Sequence, residues 1–490
     1  MRASMPARMA AMVLLACAAG SRAAGAAGLA VVDVTVVDVE TGRGVPHRTV
    51  LVEGDRITAV VGAADARIDV DAVRVDGRGR WLVPGLVDMH VHLFNTVSHR
   101  PPNDWALPMF VANGITGVRE MNADAASIAV LAAWRRETDA GERIAPRVLA
   151  AGVAARVREP ADAPAAVAAV AGAGADFVKV FSEVGAPQWR AIVDAARERA
   201  LPVAGHVPAS VELLDAATLG QRTDEHLMQA YEACSSIEGV LLRERAGIDG
   251  DALGALRDAQ EARALAAFDR GTCARVARRL AASGQWQVPT LVLAWTEARR
   301  HASLAQADPR WRYLRADERE RWLRALEQAA AHPDPLARRR WQVTRAIVSA
   351  LRAANVPMMA GTDAPMPEVY PGFSLHDELE RFVDAGYSPG QALSAATLAP
   401  ARFLGIEATS GSVAAGKRAD LVLLAADPLR DVRNTRRIEA VLLGGRLLRR
   451  ADLDAVLQDA ARRVAFRTAP RRSRIDAITR APHRRHARSG

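Results

Sequence analysis

Lysine is almost absent from this chain. Of its 65 lysine and arginine residues only Lys179 and Lys417 are lysine, so arginine supplies positive charge almost everywhere. Lys179 nonetheless sits inside the apolar run Asp176-Phe177-Val178-Lys179-Val180-Phe181. Arginine is planar and stays charged, whereas burial can strip a lysine of its proton and leave a reactive amine. One reaction open to that amine is carboxylation by carbon dioxide, which gives a carbamate whose two oxygens can bridge two metal ions. The plainer reading is a snorkelling side chain, with its stem packed and its head in water.

Residues of metal-ligand type recur at the ends of other strand-like runs. The strongest is Trp81-Leu82-Val83-Pro84-Gly85-Leu86-Val87-Asp88-Met89-His90-Val91-His92. Residues two apart on a strand face the same side, so His90 and His92 project together. Neutral imidazole is the commonest protein ligand for zinc and similar metals. Further along, Leu201-Pro202-Val203-Ala204-Gly205-His206-Val207 and Gln221-Arg222-Thr223-Asp224-Glu225-His226-Leu227 each run to a histidine, and Val356-Pro357-Met358-Met359-Ala360-Gly361-Thr362-Asp363 runs to an aspartate. The alternative for Asp363 is a helix N-cap after a strand.

These side chains need strands to hold them. Helical patterns at 187–200, 210–219 and 338–354 separate the runs, and strands alternating with helices of that length imply parallel βα units. About eight such units close a barrel with its active site at the carboxyl ends of the strands. Every candidate ligand falls where such a strand stops.

The order HxH, strand-end Lys, His, His and Gly361-Thr362-Asp363-Ala364 resembles the amidohydrolase superfamily of metal-dependent hydrolases. The segments Ala395-Ala396-Thr397-Leu398-Ala399-Pro400-Ala401 and Gly411-Ser412-Val413-Ala414-Ala415-Gly416-Lys417-Arg418-Ala419-Asp420-Leu421-Val422 resemble it too. The lysine pattern is similar to the binuclear branch with prolidase-like, Xaa-Arg-type dipeptidase and imidazolonepropionase-related members. The resemblance implies an α/β fold, a (β/α)8 TIM barrel with a small β-sandwich domain formed by both chain ends. It implies two divalent ions, with zinc the default. His90, His92 and Asp363 would hold one, His206 and His226 the second, and a carbamate on Lys179 would bridge them. A metal-bridging hydroxide would attack a C–N amide bond of a dipeptide or N-acyl amino acid. Asp363 would act as general base and then acid, with His226 beside it in the catalytic set. Opening of a cyclic amide or deamination is the alternative chemistry, and a non-catalytic binding protein on the same barrel the competing class.

Three substrate-facing candidates follow. Tyr231, five residues after His226, could donate a hydrogen bond to a substrate carboxylate or to the developing oxyanion. His376 lies in Gly372-Phe373-Ser374-Leu375-His376-Asp377-Glu378-Leu379, just after the final strand, where a helix-start histidine pairing with its neighbours is the plainer reading. Arg119, in Gly117-Val118-Arg119-Glu120, could meet an acidic substrate or pair with Glu120, and an internal ion pair of the barrel is the plainer reading. Lys417, between Gly416 and Arg418, reads as a turn residue.

Residues 28–82 and 406–450 carry short Val, Ile and Thr runs and are assigned to the composite β domain, with the barrel over 83–405. Insertions near 232–282 and 296–340, which follow the strand ending at His226 and a strand Val288-Pro289-Thr290-Leu291-Val292, are helical by composition and too long for ordinary loops. They are candidate lids, the second equally readable as padding away from the site. Cys234 and Cys273 both fall in the first insertion and could form one disulfide or remain free thiols. Residues 1–27 read as a signal peptide for export to the periplasm or medium, with Cys17 offering a rival lipoprotein reading. The net charge of +9 is matched by the tail alone, where ten arginines face only Asp476 after residue 460. Residues 451–490 are therefore assigned to an Arg-rich, disordered extension, and nucleic acid is excluded as a partner. The expected partner is a small amide or peptide substrate; no segment beyond the amino terminus reads as transmembrane, and a homo-oligomer is allowed.

Overall fold

The computed structural model describes residues 28–94, 102–299 and 306–466. The signal-peptide reading, Cys17 and the arginines from Arg467 onward lie outside them. The chain is a mixed α/β structure, and its run Trp81 to His92 is cut in two: β5 (Trp81–Pro84) and β6 (Leu86–Val91) join different sheets. Gly85 makes the step. A Cβ there would lie 2.1 Å from Thr116 Oγ1, so no larger residue fits between the two sheets.

The first sheet combines both ends of the chain. It contains β1 (Leu29–Asp38), β2 (Arg43–Glu53), β3 (Arg56–Gly62), β4 (Val73–Asp76), β5, β13 (Leu421–Leu424), β14 (Ile438–Leu443) and β15 (Arg446–Arg449). Their order is β15-β14-β13-β5-β1-β2-β3, with β4 paired to β1. Val31, Val34, Val50, Ile57, Leu82, Leu421 and Leu442 form its own buried cluster.

The second sheet is parallel throughout and runs β10-β9-β8-β7-β6, with β7 at Ile115–Ala123, β8 at Arg147–Ala154, β9 at Phe177–Val180 and β10 at Val203–Gly205. Every residue of β6, β7 and β9 is buried, as expected of strands covered on both faces. Strands β11 (Thr223–Glu225) and β12 (Trp286–Val288) form a further parallel pair. Single parallel bridges extend the pairing from Val203 to Gln221, from Gln287 to Met358 and from Ala364 to Val91. Residues 358–364 therefore lie between β12 and β6.

Helices match the predicted ones closely, at Ala186–Glu198, Leu213–Leu219 and Ala337–Ala353. Three expectations are corrected. Residues 356–363 carry one isolated bridge, at Met358, rather than a continuous strand. A strand through Val292 is also wrong: β12 stops at Val288, Thr290 turns to a φ of 44°, and a helix runs over Leu291–Glu297. Finally, the disordered assignment from 451 fails as far as 466, because Arg450–Phe466 is a helix with Leu453, Ala460 and Val464 buried. Those residues, with Val456 and Leu457, follow the i, i+3, i+4 spacing of an apolar stripe, which the arginine count obscured. Among the described residues no helix is long and apolar enough to cross a membrane.

Candidate active site

The carboxyl end of β6 delivers His90 and His92 towards Asp363. Asp363 Oδ1 lies 3.2 Å from His90 Nε2 and 2.7 Å from His92 Nε2. The three side chains form a group that could hold a metal ion, with ligand atoms all within 4.8 Å of one another. Asp363 reaches this point because residue 361 is glycine: a Cβ there would lie 2.9 Å from the backbone nitrogen of His90. Burial opposes ionisation of Asp363, but His92 and His226 outweigh it and hold its carboxyl well below the usual range. For His92, burial works against the charged form, while the Asp363 carboxylate wins and raises the pKa.

His206 and His226 converge on the same point from the ends of β10 and β11. Their ring centroids are 5.0 Å apart, and His226 is 4.6 Å from His90. Each is aimed by a hydroxyl on Nδ1, Ser182 Oγ at 2.9 Å for His206 and Thr290 Oγ1 at 2.8 Å for His226. Burial keeps both imidazoles neutral, with His226 pushed down to about 3. Lys179, on β9, is 1% exposed, and its Nζ has no hydrogen-bond partner; the atom lies 5.2 Å from the Phe181 ring centroid. Burial lowers its pKa to about 8, against the pull of Glu225 and Asp363.

Backbone strain marks the same place. His226, Thr290 and Asp363 take φ values of 66°, 44° and 66°, in the left-handed region that non-glycine residues rarely adopt. Such outliers persist only where surrounding structure enforces them, and they cluster at functional sites.

The fit to metal rests on the donors themselves. His90 Nε2, Lys179 Nζ and Asp363 Oδ1 are buried without a hydrogen bond, although His90 and Asp363 are in contact. Asp363 Oδ1 sits between the two histidine nitrogens, and neutral imidazole, carboxylate and a nitrogen that can lose its proton suit a divalent cation.

Three buried carboxylates that the sequence reading passed over hold the arrangement. Glu225 accepts hydrogen bonds from Arg119 (2.8 Å) and Thr223 Oγ1 (2.6 Å) and lies 2.8 Å from His90 Nδ1. Burial would raise its pKa, but Arg119 and His90 hold it well below the usual range. Asp88 accepts from the Thr362 amide (3.0 Å) and Oγ1 (2.7 Å), tying the Asp363 segment to β6; burial pushes it up to about 7. Glu120 accepts from the amides of Leu93 and Asn122, and burial pushes it also to about 7. The signal was available, since Asp88 stands two residues before His90, and Glu225 two after Thr223.

Two substrate candidates are corrected. Arg119 is fully buried, donating to Met89 O at 2.6 Å and to Glu225, so it is the internal ion pair, made with Glu225 rather than Glu120. His376 has both ring nitrogens engaged, by Thr435 Oγ1 at 2.9 Å and Asn113 O at 3.0 Å, in the loop that enters β7 rather than at the strand ends. Tyr231 does line the cavity, but its hydroxyl meets Thr344 Oγ1 at 2.8 Å.

That cavity, about 1050 Å³, has His206, His226 and Asp363 at its base. Both insertions wall it, the first with Arg257, Glu261 and Ala264, the second with Ala329, His332 and Arg338. Cys234 and Cys273 are joined in a disulfide that ties the start of the first insertion to the helix at its end, Arg270–Ser283.

Similarity to known proteins agrees with this geometry. A solved bottromycin amidohydrolase is 24% identical, with a TM-score of 0.67 over 89% of this chain and 90% of that one. A putative prolidase from Bifidobacterium longum is 23% identical, with a TM-score of 0.60 over 89% of this chain and 99% of that one. At these identities the two bear on the fold. An imidazolonepropionase of Bradyrhizobium diazoefficiens is 44% identical over 50 residues, 10% of this chain and 12% of that protein. The amidohydrolase family model matches residues 81–448, which carry every strand-end residue described above. The chain belongs to the amidohydrolase family and is a hydrolase acting on carbon–nitrogen bonds.

Proposed function

We propose that this chain is a metal-dependent hydrolase that cleaves the amide bond of a dipeptide or an N-acyl amino acid. The observation that carries the reading is the cluster of His90, His92 and Asp363, with the Lys179 amine buried and without a hydrogen bond, beside two neutral histidines that line a large cavity. His90, His92 and Asp363 would hold one divalent ion and His206 and His226 another, with a carboxylated Lys179 as the shared ligand and zinc as the default. When bound, such ions supply Lewis acidity and lower the pKa of water.

The chain's own part is to aim and to move a proton. Asp363 is ionised and buried among imidazoles, so it can take a proton from the attacking water and return it to the leaving amine nitrogen. Glu225 holds the far nitrogen of His90, and Thr290 and Ser182 hold His226 and His206, which fixes the orientation of each ring. The two insertions wall the cavity that leads to the strand ends.

We read the parallel strands, with the bridges through 358–364, as a (β/α)8 barrel over 83–405, and the terminal strands of 28–82 and 406–450 as a small β-sandwich. The disulfide supports an oxidising compartment for the chain.

The test is hydrolysis of a dipeptide and N-acyl amino acid library by the full chain loaded with zinc and bicarbonate, read by mass spectrometry. Release of a defined set of C-terminal amino acids is the expected result. Silence across the library with two metals bound overturns the peptide reading and moves the search to cyclic amides and deamination.

A further inference from the structure

The charged side chains lining the cavity differ in how far they are committed. Arg340 is held by Glu261 through hydrogen bonds of 2.5 and 2.7 Å and by Asp334 at 2.8 Å. Glu232 accepts bonds of 2.7 and 2.8 Å from the buried Arg245. Arg257, on helix Gly250–Ala266, is different. Its side chain is 16% exposed, and its ion-pair neighbour, Glu232, is 3.9 Å from Nε and already taken by Arg245. Its one side-chain hydrogen bond among the described residues is to the sulfur of Met228, at 4.0 Å. A guanidinium carries five N–H donors in a planar fork, so most of those of Arg257 open to the cavity without an oxygen to meet.

Met228 also locates this cation relative to the strand ends. Ser182 Oγ is 3.7 Å from the same sulfur and 2.9 Å from His206 Nδ1, so two side chains separate the guanidinium from His206. In a dipeptide or N-acyl amino acid only the amide nitrogen and one Cα lie between the scissile carbonyl carbon and the terminal carboxylate carbon. Arg257 also lines the same cavity as His206, His226 and Asp363, so a substrate whose carbonyl meets the histidines places its carboxylate in the space that Arg257 borders.

Resting on the hydrolase reading above, we propose that Arg257 is the specificity-determining residue of the cavity, binding the free carboxylate of the substrate's C-terminal amino acid through its unengaged N–H donors. Leu293, Ala264, Pro289 and Ala294 offer the apolar surface beside it. Charged hydrogen bonds to a carboxylate are strong in a partly desolvated pocket, and leaving either partner unmatched is costly.

The test uses the zinc-loaded full chain as wild type, Arg257→Met and Arg257→Lys, titrated calorimetrically with N-acetyl-L-leucine and N-acetyl-L-leucinamide. The two probes differ only in carboxylate against carboxamide. Wild type is expected to bind the acid tighter than the amide on the order of 10- to 100-fold. Arg257→Met erases that preference without lowering the melting temperature, and Arg257→Lys keeps part of it, because charge remains while the fork is lost. Equal binding or no binding of the two probes by wild type overturns the proposal, as does a preference that survives in Arg257→Met. Turnover is followed separately. An acid preference that depends on Arg257, with no hydrolysis of any library member, supports the carboxylate site and sinks the hydrolase reading instead.

Discussion

The two lysines of this chain stand in regions that treat buried charge in opposite ways. Beside the terminal sheet, Lys417 donates to Ser410 O and Ser412 Oγ at 3.2 and 2.8 Å, and the sheet's interior is hydrocarbon. At the ends of the parallel strands, Lys179 is buried without a hydrogen bond, among the charges of Glu225, Asp363 and Arg119. The terminal sheet is arranged for stability, with its polar groups at the rim. The strand ends hold charges that nothing in the protein fully pairs, which is costly unless something else binds there. Local strain at His226, Thr290 and Asp363 points the same way.

The largest effects belong to the strand ends. Lys179→Arg is expected to lower turnover by about a thousandfold or more and to reduce bound metal, measured by steady-state kinetics and metal analysis. Unchanged turnover in that variant would end the carbamate reading. Lys179→Met should lose activity equally yet match or exceed the wild-type stability of the metal-free protein in urea, because it replaces a buried amine with hydrocarbon.

Glu225→Gln sharpens the contrast further. It leaves Arg119 buried without its carboxylate, so urea denaturation of the metal-free protein should show a loss of about 3–5 kcal/mol. Metal affinity should fall as well, since His90 loses the group that orients it. Retention of both would mean that Glu225 and Arg119 are incidental to the site.

In the terminal sheet the expectation is reversed. Leu442 is fully buried in the hydrocarbon cluster, and Leu442→Ala should lower stability by about 3 kcal/mol while kcat stays within about twofold of wild type. A large fall in kcat would show that the sheet transmits strain to the strand ends and would break the comparison.

The smallest effect concerns His376, which lies away from the strand ends and is held by Asn113 O and Thr435 Oγ1. Burial first, then Arg436, pushes its pKa down to about 3, so the folded state keeps it neutral while the unfolded chain protonates it below about 6.5. Its contribution to stability is therefore complete above about 6.5 and is lost as pH falls towards 3. His376→Gln should flatten the stability profile by on the order of 1 kcal/mol per pH unit between about 6 and 4. Parallel profiles for variant and wild type would show that His376 does not carry that slope.

Much of the site was legible in the chain before any coordinates. The alternation that puts His90 and His92 on one face, the lysine in an apolar run, and the strand-end positions of His206, His226 and Asp363 follow from period-two geometry and side-chain chemistry, which act over a few residues. The helices between strands were legible for the same reason, and their ends were found to within a few residues. Other features depend on partners far away in sequence. Arg119 and Glu225 are 106 positions apart and His376 and Asn113 263 apart, so no local pattern could say whether those side chains face a substrate or each other. The division of Trp81 to His92 between two sheets depends on Thr116 packing against Gly85, and the unengaged state of Arg257 depends on Arg245 having already taken Glu232. Short-range stereochemistry thus determined which groups could do chemistry. Only tertiary packing decided which of them were spent on one another and which were left open to the cavity.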